Sequence, residues 1–229
     1  MRAIAIVFCA LFVAGTSLAQ FPGGGAVVPM QRSNSFSVYG GMGIALAAAP
    51  AMVDYINTLA DPTQQVQTFA TAVEFFGGAA VPVDENWEGG IEYGYLFKSY
   101  TLPTGGFGTY TIFYDFNMPA LTAHYVTGGN GYFLKFGGGV NYAGGSVEKK
   151  YSFDGTDTTY SAHGVGVKAD AVGQTAFDDH LYAYIGGSLR WEMMGTLKDS
   201  RGDILQNHGQ SASLSMFAVE LAFGLTYYF

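Results

Sequence analysis

The chain has 229 residues and a formal charge of −8; it carries 33 glycines and 16% aromatic residues, but only 12% charged ones. With 18 acidic against 10 basic residues, nucleic acid is disfavoured as a partner. The single cysteine, Cys9, lies in a leader-like segment, so the remainder has no disulfide or thiol chemistry.

Arg2, the apolar run Ala3 to Ala14 and the small-x-small triplet Ser17-Leu18-Ala19 read as a cleavable signal peptide over 1–19, with the mature chain starting at Gln20. Cys9 does not follow the cleavage site, so a lipid-modified N-terminus is not expected. Twelve apolar residues are too few to cross a bilayer as a helix, and no later stretch reaches the 18 or more a spanning helix needs. Residues 20–33 form an N-terminal segment, and 34–229 share one Gly- and aromatic-rich texture expected of a single domain.

From there the chain alternates. A first strand sets Phe36, Val38, Met42 and Ile44 against Ser37, Tyr39, Gly41 and Gly43. Pro50 to Ala60 follows, with Met52, Tyr55, Ile56 and Leu59 at helical spacing, Pro50 suited to a first turn and Asp61-Pro62 as a stop, which predicts a short amphipathic helix that covers a barrel mouth or packs on neighbouring loops. A second strand sets Phe69, Thr71, Val73 and Phe75 against Ala70, Ala72, Glu74 and Phe76. The third, Trp87 to Tyr100, sets Ile91, Tyr93, Tyr95 and Phe97 against Glu88, Glu92, Lys98 and Tyr100.

In the fourth strand Tyr110, Ile112, Tyr114 and Phe116 are assigned outward, opposite Thr111, Phe113, Asp115 and Asn117. The phase then slips near Met118-Pro119 before Leu121, Ala123 and Tyr125, which predicts a bulge. The fifth, Tyr132 to Tyr142, turns Leu134, Phe136 and Val140 out and Phe133, Lys135, Gly139 and Asn141 in. The sixth, about Ser161 to Gln174, turns Val165, Val167, Ala169 and Ala171 out and Gly166, Lys168 and Asp170 in; the seventh, Leu181 to Met193, places Arg190 and Glu192 inward. The last, Phe217 to Phe229, lines up Phe217, Val219, Leu221, Phe223, Leu225, Tyr227 and Phe229 on one face, with Glu220 on the other.

This last strand resembles the end of Gram-negative outer-membrane β-barrel proteins, with alternate apolar or aromatic residues before a terminal Phe. The chain is similar to the small OmpA/OmpX/OmpW-like barrels without a periplasmic domain. The resemblance implies an all-β fold, an eight-stranded antiparallel transmembrane up-and-down β-barrel with a short extracellular helix between strands one and two. It further implies an outer-membrane location among outer-membrane lipids and lipopolysaccharide, and a terminal segment (Leu221, Phe223, Leu225, Tyr227, Phe229) read by the barrel-assembly machinery. Short connections near Pro82 to Asn86, Thr127 to Asn130 and Thr175 to Asp179, and longer ones at Ala47 to Val66, Glu148 to Thr158 and Gly195 to Ser211, fit that asymmetry. Outward Trp87, Tyr93, Tyr95, Tyr110, Tyr114, Trp191, Tyr227 and Phe229 suit aromatic girdles.

A soluble barrel would also alternate, with its apolar face inward. Eleven ionisable residues assigned to the other face favour the membrane barrel: Glu74, Glu88, Glu92, Lys98, Asp115, Lys135, Lys168, Asp170, Arg190, Glu192 and Glu220. Of these, Glu92, Lys98, Lys135, Lys168, Arg190, Glu192 and Glu220 are the candidate lumen charge network, forming either a salt-bridged plug or a polar passage.

No catalytic, cofactor or metal site is expected. Lipid A deacylases use His-x-Ser, which His124, His163, His180 and His208 all lack, although His163 with Ser161, or His208 with Ser211, leaves an enzyme as a minor reading. Asp154-Gly-Thr-Asp157 lacks the length of a calcium loop, and the Gly-rich runs open no helix. The functional expectation is a non-enzymatic structural or surface-interaction barrel; the alternative is a narrow channel or lateral conduit for small hydrophobic molecules.

Overall fold

The computed structural model describes residues 36–61, 65–103, 108–129, 131–153, 155 and 157–229. Residues 1–19, read above as a signal peptide, the segment 20–33 and Pro62 lie outside these residues, as do Asn130 and Asp154.

Period-two alternation becomes wall. The strands are β1 (Ser37–Ala48), β2 (Phe69–Pro82), β3 (Trp87–Pro103), β4 (Thr109–Gly129), β5 (Tyr132–Tyr151), β6 (Asp157–Ala176) and β7 (Leu181–Met194), then a small hairpin of β8 (Gln206–Asn207) and β9 (Gln210–Ser211), then β10 (Met216–Tyr228). Helix α1 spans Pro50–Leu59. Neighbouring strands are antiparallel, and β1 pairs with both β2 and β10, closing an eight-stranded up-and-down barrel. At the closing seam Phe229 N–H donates to Phe36 O at 3.0 Å, and the two rings lie 5.4 Å apart.

The outer face is apolar. Val38, Ile44, Phe75, Ile91, Leu121, Val140, Val167, Ile185, Phe223 and Leu225 are all exposed in the isolated chain. Ten steps from Phe217 to Tyr227, at ~3.3 Å each and a tilt of ~40°, span ~25 Å, the height of an outer-membrane apolar band. At the end of the barrel bearing the short turns the band finishes in a ring of Trp87, Tyr125, Tyr132, Tyr227 and Phe229. In water so much exposed apolar surface would drive aggregation; in hydrocarbon it is the stable arrangement.

Two expectations are corrected. The first half of β4 is in the opposite phase: Ile112, Tyr114 and Phe116 are buried inside the barrel, while Asp115 and Asn117 point outward. No phase slip or bulge occurs at Met118-Pro119, because β4 keeps a single register against both β3 and β5. Pro119 instead interrupts the β4–β5 ladder between Asn117↔Gly144 and Ala120↔Asn141, since it has no N–H to donate. The rule that apolar residues face lipid fails in this stretch because this part of the barrel is filled by an apolar core. Tyr110 and Tyr114 therefore pack with that core and leave the outer girdle.

The stretch Glu148 to Thr158 is also mostly strand, with β5 and β6 paired up to Lys150↔Asp157 and only 152–156 connecting them. The β1–β2 and β7–β10 connections remain long. The latter folds back as irregular wall, through bridges Ser161↔Lys198 and Thr196↔Ser213.

Candidate functional site: a filled lumen

Inward-facing side chains stack in three layers along the barrel axis. At the turn end, Val126, Phe133, Tyr182 and Tyr228 form an aromatic cluster. Tyr228 OH donates to Gln174 Oε1 (2.7 Å), and Gln174 Nε2 donates to Thr226 Oγ1 (2.8 Å), so the polar atoms of this layer are satisfied by one another.

The middle layer is ionic. One chain of contacts runs Lys135–Glu88 (2.7 Å), Glu88–His124 (3.9 Å), His124–Asp170 (2.8 Å), Asp170–Lys168 (3.3 Å) and Lys168–Glu92 (2.7 Å), and the Tyr39 hydroxyl donates to Glu92 at 3.2 Å. A second centre pairs Arg190 with Glu74 at 2.8 Å and directs its other terminal nitrogen to Met118 Sδ. Glu192 accepts from Asn141 (2.9 Å) and Glu220 from Ser188 (2.9 Å). Oε1 of each of these two carboxylates has no hydrogen-bond partner among the described residues. Glycine makes room for them: a Cβ on Gly43 would fall 1.9 Å from Glu220 Oε1, and one on Gly166 would fall 1.9 Å from Glu192 Oε2. A cavity of about 10 Å³ bordered by Glu74, Asp170, Ser188 and Glu220 is the size of one water.

The third layer is apolar and lies at the helix end. Met52, Tyr55 and Ile56 of α1 are buried against Leu96, Tyr100, Leu102, Ile112, Tyr114, Phe116, Val147, Leu197, Leu205 and Leu214, with Leu59 partly buried at the margin. The helix starts at Pro50 without a side-chain cap and ends with Ala60 N–H on Ile56 O. Tertiary burial therefore holds its ten residues, which are too few to be stable alone.

Of the seven predicted network residues, Glu92, Lys135, Lys168 and Arg190 enter the ion pairs, while Glu192 and Glu220 hold neutral partners. Lys98 stands apart: its ammonium lies 5.2 Å from the Tyr100 ring centre, near the apolar layer. Glu74, Glu88 and Asp170 were placed on the inner face by alternation, yet their roles as direct counter-ions were not foreseen. Neither was His124, which joins two carboxylates. Its inward phase was readable from Leu121, Ala123 and Tyr125, but the partners come from strands far away in sequence.

The remaining histidines are scattered. His163 faces outward with Nδ1 2.7 Å from Tyr142 OH, His180 hydrogen-bonds Tyr228 O (2.9 Å) at a short turn, and His208 occupies the β8–β9 turn at φ 49°. Among the described residues no serine hydroxyl hydrogen-bonds any of them.

Closed antiparallel strands, an apolar exterior and ionisable side chains sealed inside define a transmembrane β-barrel of the outer-membrane type. No protein-family profile matches the chain, and neither does any curated protein sequence. Solved structures do match in fold. A major outer membrane protein from Thermus thermophilus aligns with TM-score 0.50 at 13% identity, over 86% of this chain and 100% of that one. Neisserial surface protein A (NspA) aligns at 0.49 and 10%, over 85% and 97%. Ail, the attachment invasion locus protein of Yersinia pestis, aligns at 0.46 and 13%, over 86% and 99%. The chain shares the architecture of small outer-membrane barrels.

Proposed function

We propose that this chain is an integral protein of a Gram-negative outer membrane, delivered by the leader 1–19 and assembled through Leu221, Phe223, Leu225, Tyr227 and Phe229. Its role is structural or surface-presenting, without catalysis and without conduction. The observation that carries this reading is the lumen: the aromatic, ionic and apolar layers fill it in succession, and the cavity within the ionic layer holds about one water. A passage would need a continuous wet path, whereas here the charges are turned onto one another. The helix then lies at the extracellular end, where it completes the apolar layer and leaves the β3–β4 and β5–β6 hairpins standing above the membrane as the presented surface.

Planar-bilayer recording tests the reading. The purified protein is expected to give no single-channel steps at any applied voltage. Stable steps that change on Arg190→Ala or Glu220→Ala would replace it with the narrow-channel alternative. N-terminal sequencing of membrane-extracted protein should begin at Gln20.

A further inference from the structure

The connection from β7 to β10 carries a turn on a fixed base. Leu197 and Leu205 are buried in the apolar layer, and Leu205 N–H donates to Leu197 O at 2.9 Å. Lys198 exchanges two backbone hydrogen bonds with Ser161 of β6 (2.8 and 3.0 Å) and bridges to Ile204. Between these anchors stands Asp199-Ser200-Arg201-Gly202-Asp203, so the turn is raised on residues that belong to the barrel.

One carboxylate shapes it. The Asp199 side chain is only 7% exposed, and its Oδ1 accepts the backbone N–H groups of Arg201 (2.9 Å) and Asp203 (2.8 Å). Asp199 N–H donates to Asp203 O at 2.9 Å, and Gly202 N–H donates to Asp199 O at 3.1 Å. Gly202 takes φ 89°, which residues with a side chain rarely adopt, and a Cβ there would meet nothing within 4 Å. The backbone of Arg201-Gly202-Asp203 is thus held, while its two charged side chains are 79% and 72% exposed. Arg201 Nε lies 3.3 Å from Asp199 Oδ2 and 3.6 Å from Asp203 Oδ2, contacts that water screens and that yield readily to a better partner.

We infer that Arg201-Gly202-Asp203 is an adhesion site for a divalent-cation-dependent receptor of the integrin class, which reads this tripeptide. The inference rests on the outward placement of the α1 end proposed above, which sets the turn outside the cell. The two charges define the chemistry of the partner. The Asp203 carboxylate is a hard oxygen ligand that completes the coordination of a receptor-held Mg²⁺ or Ca²⁺. The Arg201 guanidinium, two residues away, takes a receptor carboxylate through paired N–H donors. Gly202 leaves the space between them open, so the receptor surface can approach the backbone closely. The hydrogen bonds to Asp199 lower the ordering cost of binding, a cost that a disordered copy of the same tripeptide meets in full.

Surface plasmon resonance of a purified, tripeptide-reading integrin ectodomain over the full barrel in nanodiscs, in the presence of Mg²⁺, tests it. Saturable binding is expected, abolished by EDTA and competed by a free Gly-Arg-Gly-Asp-Ser peptide. Asp203→Glu keeps the charge but displaces the carboxylate by one methylene, and should weaken binding about tenfold or more, as for loss of an anchoring residue. Asp199→Ala leaves the tripeptide intact and frees its backbone, so it should weaken binding severalfold, whereas Asp199→Asn keeps an oxygen acceptor and should bind as the wild type does. A heat-dependent gel shift verifies that each variant is folded. No saturable binding by the folded wild-type barrel, binding that survives EDTA, or binding unchanged in Asp203→Glu overturns the inference. Unchanged binding in Asp199→Ala overturns the part given to Asp199 in positioning the site. Binding by the purified barrel that intact cells fail to show would leave the recognition standing and overturn instead the outward placement of the α1 end.

Discussion

Glu74 on β2 and Arg190 on β7 meet inside the barrel at 2.8 Å, 116 residues apart in sequence, with side chains 2% and 4% exposed. Neither strand pairs with the other, so the contact crosses the lumen and ties opposite walls together. Removing only one partner strands a buried charge. Arg190→Ala is expected to cost ~3–5 kcal/mol, whereas the double change Glu74→Leu/Arg190→Met should fall near neutrality. Urea unfolding in lipid vesicles, followed by tryptophan fluorescence, measures both. A double variant as unstable as the single one would show that the pair contributes more than mutual neutralisation.

Helix α1 acts as a plug for the apolar layer. Ile56 is fully buried there, so Ile56→Ala should cost ~2–5 kcal/mol if its cavity is left unfilled. The ladder of the wall closes through strand pairs alone, without α1. Ile56→Asp should therefore open the extracellular end to added protease while the heat-modifiable band persists. Loss of that band would place α1 in the folding of the barrel itself.

Strand approach makes some glycines irreplaceable. A Cβ on Gly138 would lie 1.9 Å from the Lys168 carbonyl oxygen, a backbone atom that cannot rotate away, whereas one on Gly173 has its closest neighbour at 3.7 Å. Gly138→Ala should slow or abolish formation of the folded band during refolding into vesicles, and Gly173→Ala should leave it within experimental error.

The turn between β6 and β7 contains an acid-sensitive element outside the membrane span. Hydrogen bonds from the His180 and Leu181 backbone N–H groups (2.8 and 2.7 Å) hold the Asp178 carboxyl below its usual range. A depressed folded-state value means that the turn is favoured above the ordinary aspartate range, near 3.9, and loses that support as pH falls through the lowered value. The carboxyl carbon of Asp178 should titrate below a model aspartate by NMR, and Asp178→Ala should raise local amide exchange in 177–181 at neutral pH. A midpoint at or above 3.9 would contradict the geometry.

Seven of the eight wall strands were legible as alternation, because the pleat sends every second side chain to the same surface and that surface meets one solvent throughout. β4 broke the rule through Ile112, Tyr114 and Phe116. Their inner environment is as apolar as lipid, so hydrophobicity could not tell inside from outside. Only the unbroken register through Pro119 settles the phase, and register belongs to the sheet and not to one strand. The same ambiguity put Asp115 in the lumen on paper; it stands outside, above the apolar belt, because its β4 face is the one shared with Asn117 and Leu121.

From the sequence alone came the barrel class, its strand number, the helix after the first strand and the inner face of most charges. The last three follow from local period and turn chemistry, and the barrel class from the resemblance that the terminal strand carries. Which carboxylate meets which cation came only from tertiary structure, as did the apolar layer under α1 and the outward polar contacts of Asp115 and Asn117. Each joins residues from strands adjacent or opposed only once the barrel has closed: Lys135 with Glu88, Arg190 with Glu74, Asp115 with Ser146. Closure converts a one-dimensional alternation into fixed neighbours around a ring, and the pairing of buried charges depends on those neighbours.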